Sequence, residues 1–146
     1  MKKIVYVDMD NVLVDFSTGI ARLSQEELAM YKDRYDEAPH IFSKMDPMEN
    51  AIESYIKLCS KYDTYILSTS PWENPTALND KLEWVKKHLG QYAYKRLILS
   101  HNKHLNHGHY LIDDREKNGA SEFAGELILF RGEKFPDWKS VMEYLI

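Results

Sequence analysis

Short apolar runs, rich in β-branched and aromatic residues, recur along the chain and alternate with longer stretches of helical spacing. Runs of this kind indicate buried strands of a parallel sheet. They predict five strands, at Lys3–Val7, Thr64–Ser68, Arg96–Ser100, Tyr110–Ile112 and Glu126–Phe130. Because these strands alternate with predicted helices, we expect right-handed crossovers and one parallel sheet.

Three helix starts are predicted from local signals. Ser24 and Glu27 have the spacing of a capping box, and Asp137 precedes a short apolar closing helix. Asp46 followed by Pro47 is typical of a helix that begins at Pro47, since proline suits the first helical position.

A fourth helix is predicted to begin at Pro75 and to end at Gly90, because glycine commonly terminates helices. Its expected apolar face consists of Leu78, Leu82, Val85 and Leu89. The stretch 17–44, which follows the first strand, is too long for a simple connection. We expect it to form a small helical cap over the edge of the sheet.

Composition narrows the class of protein. The chain has 146 residues, 29% of them charged and 44% hydrophobic, which is typical of one globular domain. With a net charge of −4 and no basic run, it is not expected to bind a nucleic acid polymer. Its single cysteine, Cys59, excludes an internal disulfide. With no membrane or export signal, we expect a cytoplasmic protein that does not bind membranes.

Polar residues follow four of the predicted strands at their carboxyl ends, where open α/β sheets bind ligands. Asp8 and Asp10 follow the first strand, and paired carboxylates there are costly unless a cation or a reaction needs them. The other polar residues are Thr69 and Ser70, Lys103, and Asp113 with Asp114. Acids, hydroxyls and an amine at one edge suit Mg²⁺ and a phosphate group.

Other interpretations of these residues remain open. The aspartates and the threonine could simply form turns. Lys103 could be a solvated loop lysine, with Lys81 as the alternative phosphate ligand. Trp72 could shape the site or serve only in packing. Four histidines have no standard zinc spacing, which favours a polar loop over a metal site: His101, His104, His107 and His109.

The motifs together resemble those of the haloacid dehalogenase (HAD) superfamily of phosphatases, and most of all the small bacterial members of the 5′(3′)-deoxyribonucleotidase family. The matching segments are Asp8–Phe16, Ser68–Pro71, Lys103 and Leu111–Arg115. Asn11 stands where a glycine is common, but asparagine tolerates left-handed backbone, so we expect the turn to form.

The resemblance implies an α/β fold with a Rossmann-like three-layer core in a single domain, residues 1–146. It implies a five-stranded parallel sheet of order 5-4-1-2-3, counting the predicted strands, and a small helical cap at residues 17–44. The oligomeric state, monomer or homodimer, stays open.

The resemblance also implies roles for the acidic residues. Asp8 resembles the nucleophile that forms an aspartyl-phosphate and a ligand to Mg²⁺. Asp10 resembles the general acid and base, with its backbone carbonyl as a metal ligand. Asp114 resembles the remaining metal ligand and Asp113 its supporting neighbour, although these two could be exchanged.

The remaining roles concern the substrate. Thr69, Ser70 and Lys103 resemble the phosphate-binding residues, and Phe16 and Phe42 the aromatic residues near the nucleotide. The implied activity is Mg²⁺-dependent hydrolysis of (deoxy)ribonucleoside 5′- or 3′-monophosphates. The alternatives are a phosphatase for another small ester such as a sugar phosphate, or a receiver-like phospho-signalling module.

Overall fold

A five-stranded parallel sheet forms the centre of the computed structural model, which describes all 146 residues. The strands are β1 (Ile4–Val7), β2 (Val14–Asp15), β3 (Asp46–Pro47), β4 (Asp63–Ser68), β5 (Leu97–Leu99), β6 (Tyr110–Asp113) and β7 (Glu126–Leu129). Their order in the sheet is β5-β4-β1-β6-β7, while β2 and β3 pair separately as a two-stranded antiparallel ribbon. If β2 and β3 are left out and the remaining strands are counted from 1 to 5, this order reads 3-2-1-4-5. Taken from the other edge of the sheet, it is the predicted 5-4-1-2-3.

Five α-helices accompany the sheet: α1 (Phe16–Ile20), α2 (Gln25–Met30), α3 (Ala51–Lys61), α4 (Ala77–His88) and α5 (Trp138–Leu145). The capping box of Ser24 and Glu27 forms at the start of α2, as predicted. Asp137 likewise caps α5, where its side chain accepts a hydrogen bond from the backbone of Ser140. None of the helices is both long and apolar enough to cross a membrane.

The predicted helix start at Pro47 is wrong. Asp46 and Pro47 form β3, and α3 begins only at Ala51. The backbone N–H of Met48 donates to the carbonyl of Leu13 at 2.8 Å, so pairing with β2 holds this segment extended. A long-range contact therefore overrides the local proline signal.

The predicted apolar face of α4 is also partly wrong. Leu78 and Leu82 are exposed, whereas Lys81 and Trp84 are buried together with Val85. Trp84 donates its indole N–H to the carbonyl of Met45 at 3.0 Å, which fixes the rotation of the helix.

The two faces of the sheet are covered differently. Alternate strand residues such as Val7 and Ile66 share a core of 28 buried residues with α3, α4 and α5. The opposite face packs mainly against Ala120 and Phe123 of a 3₁₀ turn. Of the three predicted layers, the third thus consists of loops and 3₁₀ turns instead of α-helices.

The segment 17–44 contains most of α1, then α2 and two 3₁₀ turns, Tyr35–Glu37 and Ile41–Ser43. It is fastened to the loop before α4, since the side-chain amide of Asn74 donates to the carbonyls of Asp36 and Ala38 at 2.9 and 3.0 Å. This connection brings the segment to the carboxyl edge of the sheet, where the loops after β1 and β4 emerge.

Candidate active site

Asp8 lies at the carboxyl end of β1, the central strand of the sheet, and its side chain is buried. Its backbone N–H donates to the carbonyl of Ile112 at 2.9 Å, which ties the ends of β1 and β6 together. Asp113 is the last residue of β6. Pairing of the two strands therefore places two aspartates side by side.

Lys103 bridges these two aspartates. Its Nζ donates to Oδ1 of Asp8 at 3.0 Å and to Oδ2 of Asp113 at 2.6 Å. Burial alone would lower the pKa of Lys103, but the two carboxylates outweigh that effect and raise it. The lysine is therefore a fully charged group in the interior, fixed between two acids. This agrees with the predicted convergence of Asp8 and Lys103.

Asp8, Asp113 and Asp114 each offer a carboxylate oxygen within 4.8 Å of the other two. Burial is the main reason that the pKa of Asp8 is raised to about 7, and it outweighs the opposing charge of Lys103. Burial and the neighbouring charge of Asp8 raise the pKa of Asp114 to about 6. Negative charge at this point exceeds what one lysine can neutralise, so the donor set fits a hard divalent cation.

The two adjacent aspartates differ in the partners of their oxygens. Asp113 accepts from Lys103 at Oδ2 and from the backbone N–H of Arg115 at Oδ1, so both oxygens are occupied. Oδ1 of Asp114 is buried and has no hydrogen-bond partner. A buried acceptor without a partner is costly, and a cation would satisfy it. Asp114 is thus the residue of the two that is free to bind a metal.

A tight turn after β1 returns Asp10 to the site. Asn11 adopts left-handed backbone with φ of 59°, as predicted for this turn. Its side-chain Oδ1 accepts from the backbone N–H of Phe16 at 3.3 Å, and its own N–H donates to the carbonyl of Val14 at 2.8 Å. These bonds close the loop on which Asp10 is carried.

Lys81 is a second buried lysine, and the sequence indicated it only as an alternative to Lys103. Its Nζ donates to Oγ of Ser68 at 2.7 Å, to the carbonyl of Thr69 at 2.8 Å and to Oδ1 of Asp10 at 3.4 Å. The ring of Phe42 covers the ammonium group at 4.5 Å. One signal in the sequence could have found it. Lys81 lies four residues after Ala77 and four before Val85, which places it on the same face of α4 as these two apolar and buried residues.

The predicted phosphate-binding hydroxyls lie at the end of β4. Thr69 borders the open cavity, and its Oγ1 donates to the carbonyl of Ser100 at 2.8 Å. Ser70 is buried, and its Oγ has no hydrogen-bond partner. The oxygen of Thr69 can therefore accept a further hydrogen bond at the cavity, whereas Ser70 does not line the cavity and its hydroxyl is buried beside it.

A cavity of about 630 Å³ opens above these groups, a size typical of small-molecule sites. Its lining comprises Asp10, Asn11, Phe16, Asp33, Arg34, Tyr35, Asp36, Thr69, Pro71, Trp72, His101, Asp114, Arg115 and Asn118. Arg115 belongs to the fourth matching segment, but no role was assigned to it. Asp33 to Asp36 and Asn118 were not singled out from the sequence, because isolated polar residues in loops carry no local signal.

The two predicted substrate-contacting aromatics differ in position. Phe16 lines the cavity. Phe42 does not line it, because its ring is only 1% exposed and packs edge-on against Phe16 with 5.9 Å between ring centroids. Phe42 instead packs against Phe16 and against the ammonium group of Lys81 in the interior.

The four clustered histidines do not converge. The three aspartates form the single group of three or more metal-capable side chains in the chain. Nδ1 of His109 accepts from the backbone N–H of Ile4 at 3.0 Å, while His101 lies edge-on to Trp72. These contacts fit the polar-loop interpretation.

Comparison with known sequences adds an independent finding. The family model described as 5′ nucleotidase, deoxy (pyrimidine), cytosolic type C protein matches residues 24–135. A protein of Vibrio phage KVP40, provisionally named 5′(3′)-deoxyribonucleotidase, is 60% identical over 144 residues, covering 99% of this chain and 85% of that protein. The cytosolic-type 5′(3′)-deoxyribonucleotidase of Homo sapiens is 27% identical over 168 residues, which cover 94% of this chain and 78% of the human protein.

Solved structures share the fold. The HAD-hydrolase YfnB of Bacillus subtilis, bound to magnesium, has a TM-score of 0.71 at 9% identity, covering 99% of this chain and 98% of that one. The HAD family enzyme bt-2542 of Bacteroides thetaiotaomicron, a complex with magnesium and inorganic phosphate, has a TM-score of 0.51 at 16% identity, covering 97% and 99%. At these identities the likeness establishes the HAD-type fold alone.

Proposed function

Because this chain belongs to the 5′ nucleotidase, deoxy (pyrimidine), cytosolic type C family, we propose that it is a Mg²⁺-dependent phosphomonoesterase. Its substrates are deoxyribonucleoside or ribonucleoside 5′- or 3′-monophosphates, and the reaction passes through an aspartyl-phosphate on Asp8. The 5′(3′)-deoxyribonucleotidase names of the relatives support this substrate class.

One observation supports the proposal above all others. A buried aspartate at the end of the central strand lies beside a charged lysine and within 4.8 Å of two further carboxylates. A phosphate monoester dianion repels a carboxylate nucleophile, so attack requires positive charge at the same point. Lys103 supplies one such charge, and the carboxylates supply oxygen ligands for Mg²⁺.

Asp8, Asp114 and the backbone carbonyl of Asp10 would hold the metal ion. Asp114 is preferred over Asp113 because its Oδ1 has no protein partner. When bound, Mg²⁺ supplies the charge that reduces repulsion between the phosphate and Asp8. Asp113 keeps Lys103 oriented toward Asp8 through the 2.6 Å hydrogen bond.

The chemistry proceeds in two displacements. A carboxylate oxygen of Asp8 forms a bond to phosphorus while the ester P–O bond breaks, and Asp10 donates a proton to the departing oxygen. Water then attacks the phosphorus of the aspartyl-phosphate. Asp10 takes a proton from that water, inorganic phosphate leaves, and the Asp8 carboxylate is restored.

Thr69, Ser70 and Lys103 bind the phosphoryl oxygens during both steps. Residues 17–44 serve as a small cap in the same domain, because Asp33 to Asp36 line the cavity together with Asp10, Thr69 and Asp114. Phe16 contacts the nucleoside, and Phe42 supports it.

The test is phosphate release from a panel of nucleotides and sugar phosphates, with Mg²⁺ or with EDTA. We expect nucleotides to be preferred, and activity to be lost with EDTA and in Asp8→Asn. Asp137→Asn is the matched control, because asparagine also caps helices and α5 lies away from the cavity. Full activity of Asp8→Asn would refute the mechanism. A strong preference for sugar phosphates would overturn the substrate assignment and leave the mechanism standing.

A further inference from the structure

Trp72 is the large aromatic residue most exposed to solvent at the site, with 84% of its surface accessible. It lies on the loop after β4, three residues beyond Thr69, and lines the cavity above the reacting aspartates. The other two tryptophans, Trp84 and Trp138, are buried in the core. An indole left open to water beside a ligand cavity presents a flat surface on which a planar group can stack.

One aromatic neighbour contacts this indole. His101 lies edge-on to it, with ring centroids 5.7 Å apart and an interplanar angle of 74°. The hydroxyl of Thr69 donates to the carbonyl of Ser100, so the loops that carry the two rings are joined at their bases. Because the two rings meet edge-on and Trp72 is 84% exposed, a face of the indole remains open to solvent.

The loop beneath Trp72 is also restrained. Pro71 precedes it, and the carbonyl of Pro71 accepts from the backbone N–H of Asn74 at 3.1 Å to close a turn. Asn74 is buried and is bonded to the carbonyls of Asp36 and Ala38 in the cap. A backbone that is already restrained loses little conformational freedom when a ligand binds to a side chain on it.

The strand order gives the cavity two unlike sides. β4 and β5, which lead to Trp72 and His101, lie on one side of β1, and β6, which leads to Arg115 and Asn118, lies on the other. The cavity also has Phe16 and Tyr35 in its lining, both from the segment between β1 and α3, but no aromatic residue lines it on the β6 side. A planar base attached to a phosphate at Asp8 therefore finds an exposed indole toward β4 and β5.

We propose that Trp72, braced by His101, is the surface on which the nucleobase of a nucleoside monophosphate stacks. This inference rests on the proposed function and extends it, because it assigns base recognition to a core loop outside the cap. Stacking on an aromatic side chain tolerates different bases, so Trp72 selects for the presence of a base more than for its identity.

The kinetic test compares a deoxyribonucleoside 5′-monophosphate with deoxyribose 5-phosphate, which lacks the base. In Trp72→Leu, the ratio of kcat/KM for the nucleotide to that for the sugar phosphate falls about 5- to 100-fold, mainly through KM of the nucleotide. Trp72→Phe keeps most of the ratio. Tyr94→Leu is the matched control, since Tyr94 is an exposed aromatic residue outside this cavity.

A binding measurement complements the kinetics. In Asp8→Asn, which is not expected to turn substrate over, the nucleotide quenches tryptophan fluorescence and deoxyribose 5-phosphate does not. The signal is expected to come from Trp72, because the other two tryptophans are buried. Trp72→Leu abolishes the quenching.

Equal loss of activity toward both substrates in Trp72→Leu would show that Trp72 merely supports the loop, and unchanged activity toward both would show that the base does not reach it. Either result overturns this inference and leaves the proposed phosphatase intact. If the wild-type protein releases phosphate from neither substrate, the proposed function itself fails. In the binding measurement, quenching by both ligands or by neither would reject the stacking of the base on Trp72.

Discussion

Replacing Lys103 with methionine removes the ammonium group between Asp8 and Asp113 and keeps a side chain of similar length. In the wild type, Nζ makes hydrogen bonds of 3.0 and 2.6 Å to these acids, and all three residues are buried. Breaking a buried ion pair from one side typically costs about 3–5 kcal/mol, because the remaining charge is unpaired.

Two features of the site place the expected cost near the lower limit of that range. The pKa of Asp8 is already about 7, so this carboxyl can take up a proton once Lys103 is gone. Asp113 keeps the backbone N–H of Arg115 as a donor at 3.1 Å. We therefore expect Lys103→Met to lose about 3 kcal/mol of unfolding free energy, or roughly 6–12 °C in Tm for a chain of this size.

Thermal unfolding followed by circular dichroism at pH 7 with EDTA measures this loss, and phosphate release measures the effect on activity. Lys86→Met is the matched control, because Lys86 is exposed and its contact with Glu83 at 3.9 Å is a surface pair. We expect the control to stay within about 0.5 kcal/mol of the wild type. If Lys103→Met unfolds at the same temperature as Lys86→Met and retains activity, the reasoning about a charged bridge is refuted.

Three further predictions concern the metal, the turn and pH. Mg²⁺ at about 100 times its Kd should stabilise the wild type by about 2.7 kcal/mol and leave Asp114→Asn far less stabilised; equal shifts in Tm would argue against Asp114 as a ligand. Asn11→Val and Asn11→Gly both lose the hydrogen bond from the backbone N–H of Phe16, but only valine is strained at a φ of 59°. Asn11→Val should therefore be less stable than Asn11→Gly by about 1–2 kcal/mol; equal denaturation midpoints would contradict this. Burial lowers the pKa of His88 below its ordinary 6.5, so the unfolded chain binds this proton more tightly and stability falls as pH drops below about 6.5. His88→Gln should lose less Tm between pH 7 and pH 5 than the wild type, and parallel curves would exclude the effect.

Local signals predicted those features of the fold that depend on neighbouring residues. Ser24 and Asp137 cap α2 and α5 as expected, since each cap is completed within three residues along the chain. Asp46 and Pro47 carry an equally clear local signal, yet they form β3 because a partner at Val14 pairs with Pro47. The difference lies in that distant partner, which no local pattern can show.

The orientation of α4 shows a second limit. Hydrophobic periodicity favoured Leu78 and Leu82 as buried residues, but the helix instead turns Lys81 and Trp84 inward. Lys81 can be buried because three oxygens from two other segments accept its hydrogen bonds. A buried charge is stable only when such partners exist, and they come together only in the fold. The third layer of the fold likewise could not be predicted from local patterns, because loops cover that face of the sheet instead of helices.

The site itself was more predictable than its surroundings, because its residues follow the ends of parallel strands, and these ends share one edge of the sheet. The order of the strands came from the family resemblance. The charged groups that meet there are Asp8, Asp10, Asp113, Asp114, Lys81 and Lys103. When Asp10 carries the proton that it donates in the first displacement, three carboxylates and two ammonium groups leave one negative formal charge, which one divalent cation would more than cancel. Burial is the main cause of the raised pKa of Asp8, and the neighbouring charges of Asp113 and Asp10 add to it. The second buried lysine therefore changes the charge of the site: with Lys103 alone, a single Mg²⁺ would leave these groups neutral in sum, and with Lys81 it leaves one positive charge facing the phosphate.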